Sequence, residues 1–177
     1  MKTSCLLDSL PIATERLVIR KYTPEDIQDY FEIFGNPNIS KYDEFLPIDI
    51  ATAKINVCEI LDWYESFFHE QSFAVELPTI KKAIGCLYYI VTANSDVCIG
   101  YHFHESFHGK GYALESVKAY VNWLVDQSLG QIVAISDPAN KSSIKLLEKI
   151  GFQFERKQIV TNKLSVVVEE WVYVLKK

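Results

Sequence analysis

The sequence predicts a three-layer α/β (α+β) fold, with a mixed, mostly antiparallel central sheet of six or seven strands flanked by about four helices. Three observations predict it. In residues 97–128 an alternating run gives way to a glycine-rich turn and then to a long helical pattern. Val97, Ile99, Tyr101 and Phe103 fall on one face of that run, the period-two mark of a strand. From Ala113 onward, Val117, Tyr120, Val121, Leu124 and Val125 recur at three- and four-residue steps, the mark of a helix with one buried face. Second, the apolar period switches from helical to two beyond residue 71. Third, a short apolar run at 131–136 follows the long helix. A helical crossover joins it to the strand at 97–104, so the two should lie parallel and adjacent in one sheet.

The elements follow in order. Residues 1–11 read as a loose leader ending at Pro11, and Leu17 and Ile19 begin the first strand. Thr23-Pro24-Glu25-Asp26 starts a helix, with a capping hydroxyl, a proline in the first turn and acids at the positive end of the dipole. Ile27, Tyr30, Phe31 and Phe34 are its buried face, and Gly35-Asn36-Pro37 ends it. A loop rich in aromatics and charge leads to a second helix from Asp49 to about Phe68. Strands at 72–76 and 82–91 turn around Leu77-Pro78-Thr79. Ser128-Leu129-Gly130 closes the long helix, with Gly130 as its left-handed cap. Asp137-Pro138-Ala139-Asn140 precedes a helix over 142–149, and Gly151 stops it. Strands at 152–160 and 166–175 complete the sheet around Thr161-Asn162-Lys163. Gly100, inside the central strand, suggests a bulge or a close backbone approach. Without repeats or linkers, residues 1–177 read as a single domain.

Composition narrows the class. The chain has 177 residues and 49% are apolar, enough for one substantial core, but no run of about 18 apolar residues could span a bilayer. The four cysteines (Cys5, Cys58, Cys86, Cys98) form no C-x-x-C pair, so they read as reduced, mostly buried thiols of a cytoplasmic protein, and no metal site is expected. A net charge of −5 disfavours a nucleic-acid partner and gently favours a cationic acceptor.

A strand feeding a glycine-rich turn at the head of a helix is a candidate anion cradle, because the first helical turn leaves backbone N–H groups free. Neither the P-loop pattern nor a full G-x-G-x-x-G is present; Leu114 stands where the latter needs glycine. Gly109-Lys110-Gly111-Tyr112-Ala113-Leu114-Glu115 after Ile99-Gly100-Tyr101 resembles the acetyl-CoA-binding core of the GNAT acetyltransferases, in the branch resembling RimJ and RimL. Residues 14–20 (TERLVIR) resemble that branch's opening strand. Residues 140–152 (NKSSIKLLEKIGF) resemble its closing motif, so the resemblance covers residues 14–155.

The resemblance implies direct transfer of acetyl from acetyl-CoA to an amine, with no metal. His108, Gly109, Lys110, Gly111, Tyr112, Ala113 and Leu114 would hold the pyrophosphate. A bulged, splayed central strand would offer backbone groups of Tyr101, His102 and Phe103 to the pantetheine arm. Asn140 is either a cofactor ligand or an N-cap. Many relatives carry Gln or Arg where this chain has His108, a tyrosine general acid where it has Leu147, and an acid where it has Cys98. In the RimL-like branch a serine takes the acid's role, and Ser143 matches it; the alternative is a hydroxyl satisfied within its own helix. Asp96, His102, His104 and Glu105 are the nearby substitutes for a base, or else the two histidines are solvated on an open face. Tyr30, Tyr42, Asp43, Glu44, Phe45 and Trp63, with the final hairpin near Asn162, would shape the acceptor pocket.

The implied acceptor is a protein N-terminal α-amine or a related small amine. At pH 7 roughly one in ten α-amines is neutral, against about one in a few thousand lysine-type amines, so a site without a carboxylate base suits the former. A polyamine, antibiotic or amino acid is the second acceptor class. An acyl-CoA-binding regulatory protein with a degenerate centre is the alternative of a different kind. Expected partners are the peptide or small-molecule amine, with no nucleic acid or membrane, for a monomer or homodimer.

Overall fold

Eight strands pair into one sheet in the structure, a computed structural model that describes residues 7, 9–42, 45–65, 69–127, 130–162 and 164–176. In chain order the elements are β1 (Ile12–Ala13), β2 (Val18–Arg20), α1 (Ile27–Phe34), α2 (Ile50–Glu65), β3 (Glu70–Leu77), β4 (Lys82–Val91) and β5 (Val97–Phe103). Then follow α3 (Tyr112–Asp126), β6 (Ile132–Ser136), α4 (Lys141–Ile150), β7 (Phe152–Thr161) and β8 (Val167–Leu175). The strand order is β1-β2-β3-β4-β5-β6-β8-β7, and every pair is antiparallel except β5–β6. The expected parallel neighbours are therefore adjacent, with Val97, Cys98 and Ile99 opposite Ile132, Val133 and Ala134.

The sheet has one strand more than expected because a two-residue strand lies between the expected leader, residues 1–11, and the first expected strand; of the leader itself, Leu7 and Ser9 are tied to the body of the protein. Ile12 and Ala13 pair with Ile19 and Val18. Leu7 is buried in the main core, and Ser9 Oγ accepts from Trp123 Nε1 at 2.6 Å. The predicted helix start at Thr23 is a short 3₁₀ turn, Pro24–Asp26, that runs into α1. It is fixed by charge: Arg20 donates twice to the Asp26 carboxylate, at 2.7 and 2.8 Å, and also to Glu76 on β3. Burial alone would raise the Asp26 pKa, but Arg20 and the Thr23 donors outweigh it and hold the carboxyl below its usual range.

Amphipathic spacing decides which face each helix covers. α3 and α4 bury Val117, Tyr120, Val121, Leu124, Ile144 and Leu147 against Val97, Ile99, Phe103 and Tyr173 on one face of the sheet. α1 and α2 bury Tyr30, Ile33, Phe34, Ala53, Val57 and Ile60 against Ala74, Ala83 and Cys86 on the other. Leu147, where the family resemblance would place a tyrosine acid, is 1% exposed and belongs to the first of these cores.

Two glycine expectations change. Gly130 is not left-handed; a Cβ there would lie 2.0 Å from the Ser95 carbonyl oxygen, so glycine serves close approach. The C-cap of α3 is Gln127, in right-handed geometry, while Ser128 and Leu129 lie outside the described residues. Gly100 marks no bulge, since β5 pairs with β4 in unbroken register from Gly85↔Phe103 to Val91↔Val97. It makes room instead for the Tyr88 ring, whose Cζ would lie 2.0 Å from a Cβ. The register slip falls between β3 and β4, and the carbonyl of Ile84 there accepts from His104 N–H at 2.9 Å. Cys58 departs from the buried-thiol expectation, being exposed on α2. Among the described residues, no helix is long and apolar enough to cross a membrane.

Gly100→Ala should destabilise the fold by about 1–3 kcal/mol, the usual cost of overpacking. Urea denaturation of the two proteins measures it, and an unchanged midpoint would mean that the Tyr88 ring moves aside freely.

Candidate active site

β5 and β6 part company after Ile99↔Ala134, the last pair of their parallel ladder. Alternation then decides what the gap contains. Val97 N–H donates toward β6, to Gln131, and His104 N–H donates toward β4. Tyr101 and Phe103 share the direction of Val97, so their N–H groups point into the gap. The Phe103 carbonyl meets His108 Nε2 at 2.8 Å. His108 thus ties the glycine turn to the splayed strand.

The turn that follows is the cradle. Gly109 and Gly111 have φ of +74° and +82°, a region that favours glycine, and a Cβ at Gly109 would meet nothing within 4 Å. Gly111 is the N-cap of α3, whose first-turn N–H groups at Tyr112, Ala113 and Leu114 have no intrahelical acceptors. The turn is clamped from the opposite end of the sequence. Glu115 accepts from Thr14 Oγ1 at 2.6 Å, Arg16 N–H at 2.8 Å and Arg16 Nε at 2.7 Å. Arg16 Nη1 donates to the Lys110 carbonyl at 3.0 Å, and the guanidinium lies 4.6 Å over the Tyr112 ring. Burial would raise the Glu115 pKa, but these donors hold it down. The TERL segment and the cradle motif are therefore two halves of one contact.

A cleft of about 330 Å³ opens over the cradle, lined by Phe103, His108, Gly109 and Gly111 on one side and Ser142, Lys145 and Lys149 on the other. Lys145 and Lys149, one helical turn apart, bring cations to a pocket already rich in N–H donors. Together these features fit a phosphate-bearing ligand such as CoA. Neither lysine was expected in the site, nor were Thr14, Arg16 and Glu115, which the sequence offers only as members of the family-like motifs. The i, i+4 lysine spacing after Asn140 was the available signal.

Asn140 is the N-cap of α4, its Oδ1 accepting from Ser143 N–H at 3.1 Å. Ser143 Oγ lies 2.9 Å from the Tyr101 hydroxyl, which reaches across the gap from β5. Burial pushes the Tyr101 phenol up to about 12, so it stays protonated at neutral pH. The backbone of Tyr101 was expected in this site; its side chain was not.

The base candidates are scattered. His102 faces the other side of the sheet, 9% exposed, among Phe34, Phe45 and Tyr88. It is not solvated, and burial drives its imidazole down to about 4. His104 Nδ1 accepts from Ser106 N–H at 3.2 Å, with Nε2 3.8 Å from Glu32. Glu105 accepts from Asn36 at 2.8 Å and Asn38 at 3.1 Å, joining the α1–α2 loop to the approach of the cradle. Asp96 sits in the turn before β5, at the end of the strand away from the gap. Burial first, and then Glu170, push the Cys98 thiol up to about 11, so the residue replacing the family acid carries no charge at neutral pH. Of the aromatics expected at the acceptor pocket, Phe45 reaches His102, while Tyr30 is buried against Tyr22 and Phe34. Trp63 borders the core beneath α2, and Tyr42 lies under Lys41. Asp43 and Glu44 lie outside the described residues.

Residues 16–153 match the family described as acetyltransferase (GNAT) domain, and the chain belongs to it. It is an N-acetyltransferase, and acetyl-CoA is its acetyl donor. A relative from Bacillus licheniformis, the uncharacterized N-acetyltransferase p20, is 27% identical over 145 residues, 80% of this chain and 82% of that protein. The fold also matches ribosomal-protein-S5-alanine acetyltransferase from Vibrio fischeri, with a TM-score of 0.80 and 17% identity over 96% of this chain and 100% of the other. RimL, a ribosomal L7/L12 alpha-N-protein acetyltransferase solved with coenzyme A, matches with a TM-score of 0.79 and 14% identity over 92% and 95% of the two chains. At 17% and 14% identity these two likenesses concern the fold.

Two outcomes are expected. Gly111→Asp places a side chain at positive φ and an anion in the cradle, and should weaken CoA binding by at least about tenfold in calorimetry. Unchanged affinity would put the phosphates elsewhere. The second concerns His102, whose folded pKa is depressed to about 4. Between that value and an unfolded pKa of about 6.5 the unfolded chain binds more protons, so stability is complete above this window and falls as pH drops through it. The loss should approach about 3 kcal/mol near pH 4. Thermal melts from pH 7 to 4.5 should show a shallower decline for His102→Phe than for the parent; identical slopes would mean that the imidazole is not buried neutral.

Proposed function

We propose that the chain acetylates a protein N-terminal α-amine or a related small primary amine, and that it acts as a single domain in the cytoplasm, as a monomer or homodimer. The observation that carries this reading is the weakness of the available bases. Cys98 is a neutral thiol, and His102 has an imidazole driven down to about 4. An α-amine reaches its neutral form with little help, whereas a lysine-type amine would need a strong base. The printed functions of RimL and of the S5-alanine enzyme support the same acceptor class.

In this reading the N–H groups of Gly109 to Leu114 hold the pyrophosphate, with Lys145 and Lys149 adding charge from α4. The N–H groups of Tyr101 and Phe103 align the pantetheine arm, and one of them faces the thioester carbonyl as charge develops there. The amine nitrogen bonds to the acetyl carbon and releases its proton to water. The carbon–sulfur bond breaks with its electron pair on sulfur, and Ser143 donates to that sulfur as it departs. His102, neutral in the range where the enzyme would work, lines the acceptor side with Phe45.

A thiol-release assay over peptides with free N-termini, polyamines, amino acids and amine antibiotics tests the acceptor. Turnover should be highest with free N-terminal α-amines and should rise toward pH 8 as they deprotonate. Turnover confined to polyamines or antibiotics would overturn the reading. In the same assay Ser143→Ala should lower kcat by about 10- to 1000-fold with little change in CoA affinity, as expected for a donor engaged in the transition state.

A further inference from the structure

Ser143 and Ser116 are both helical serines, and their hydroxyl environments differ in a telling way. Ser116, in α3, turns its Oγ back on its own helix and donates to the Tyr112 carbonyl at 2.8 Å. That is the ordinary fate of a serine inside a helix. Ser143 Oγ instead has a phenol, Tyr101 Oη, at 2.9 Å, brought there from a different element 42 residues away in sequence. Asn140 takes the Ser143 N–H, which fixes the first turn of α4 and with it the Ser143 Cβ.

The phenol hydrogen has two acceptors on Ser143, Oγ at 2.9 Å and the backbone carbonyl at 3.4 Å; a phenol is the stronger donor of the two hydroxyls and Oγ the nearer acceptor, so the favoured direction is Tyr101 donating to Ser143 Oγ. The serine then keeps its own hydrogen for another acceptor. The position of the pair decides what that acceptor is. Tyr101 is the second residue beyond the last β5–β6 pair, and its own N–H enters the same gap. Leu147, one turn further along α4, is buried in the core and cannot serve.

We propose that Tyr101 is the positioning residue for Ser143: its phenol donates to Ser143 Oγ and thereby aims the serine hydrogen at the coenzyme A sulfur. This rests on the reading of the β5–β6 gap as the thioester channel. No proton leaves Tyr101 in the step. The amine nitrogen bonds to the acetyl carbon and gives its proton to water, and the carbon–sulfur bond breaks with both electrons on sulfur. The thiolate is held by the Ser143 hydrogen and later takes a proton from water.

The experiment has two arms. In the first, Tyr101→Phe, Ser143→Ala and the double variant are compared in steady state with the best acceptor. Tyr101→Phe should lower kcat by about tenfold while leaving the KM for acetyl-CoA unchanged, and the double variant should be no slower than Ser143→Ala. An unchanged kcat, or losses that multiply, would overturn the proposal. The second arm needs no acceptor. In protein carrying ¹³Cζ-tyrosine, the Tyr101 resonance, assigned by its loss in Tyr101→Phe, should shift on adding CoA and much less on adding desulfo-CoA. Ser143→Ala should abolish the difference. Equal responses to the two ligands would overturn the proposal. A parent enzyme that transfers acetyl to none of the amines would sink the acceptor reading, and the spectra would still decide the role of Tyr101.

Discussion

The hydrogen bonds that β5 does not make with β6 govern this molecule. A strand inside a sheet ordinarily has both edges paired, because a buried backbone group without a partner is costly. Here the ladder ends at Ile99, and the N–H groups of Tyr101 and Phe103 face a gap. The fold tolerates the gap because everything around it is held from elsewhere. β4 pairs with β5 along its whole length, His108 occupies the Phe103 carbonyl, and α4 closes the far side through Ser143 and Tyr101. An extended amide-bearing chain such as pantetheine matches the exposed edge in kind, since it can pair with a strand as another strand would.

A second contact links the segment before the cradle to the helices on the other face of the sheet. Glu105 follows β5 directly and accepts from Asn36 and Asn38, in the loop between α1 and α2. Those donors hold its pKa below the usual carboxylate range, so the contact persists through neutral pH. The loop that carries Phe45 is thereby fastened to the segment leading into the cradle. His102 packs its neutral ring against Phe45 of that loop.

Most of the architecture was legible in the sequence because it rests on periodicity. The strand–turn–helix at 97–128, the parallel β5–β6 pair and the caps at Asn140 and Gly151 all follow from local patterns. What escaped reading was long-range. Ile12 and Ala13 fall between the expected leader and the first expected strand and read as no element, since two residues carry no period, and only pairing with β2 makes them a strand. Gly100 reads as a bulge or a close backbone approach, because a glycine in a strand says that something comes close without saying what. Here it is a side chain of the next strand, Tyr88. His102 and His104 stand on one face by alternation, yet one is enclosed by rings from α1 and the following loop while the other is not. Burial of that kind depends on neighbours that spacing cannot supply. The Tyr101 phenol was hidden for the same reason, since its partner is on another helix.

The contact between Arg16 and Glu115 crosses 99 positions of the chain. A ribosome therefore exposes residue 16 long before its partner exists, and the loop that the contact closes is among the costlier ones to close in a protein of this size. The glycine turn can bend early, as a local event, but it gains its guanidinium clamp only once β1, β2 and the head of α3 have met. The clamp on the glycine turn therefore depends on a contact that no local stretch of the chain can make by itself.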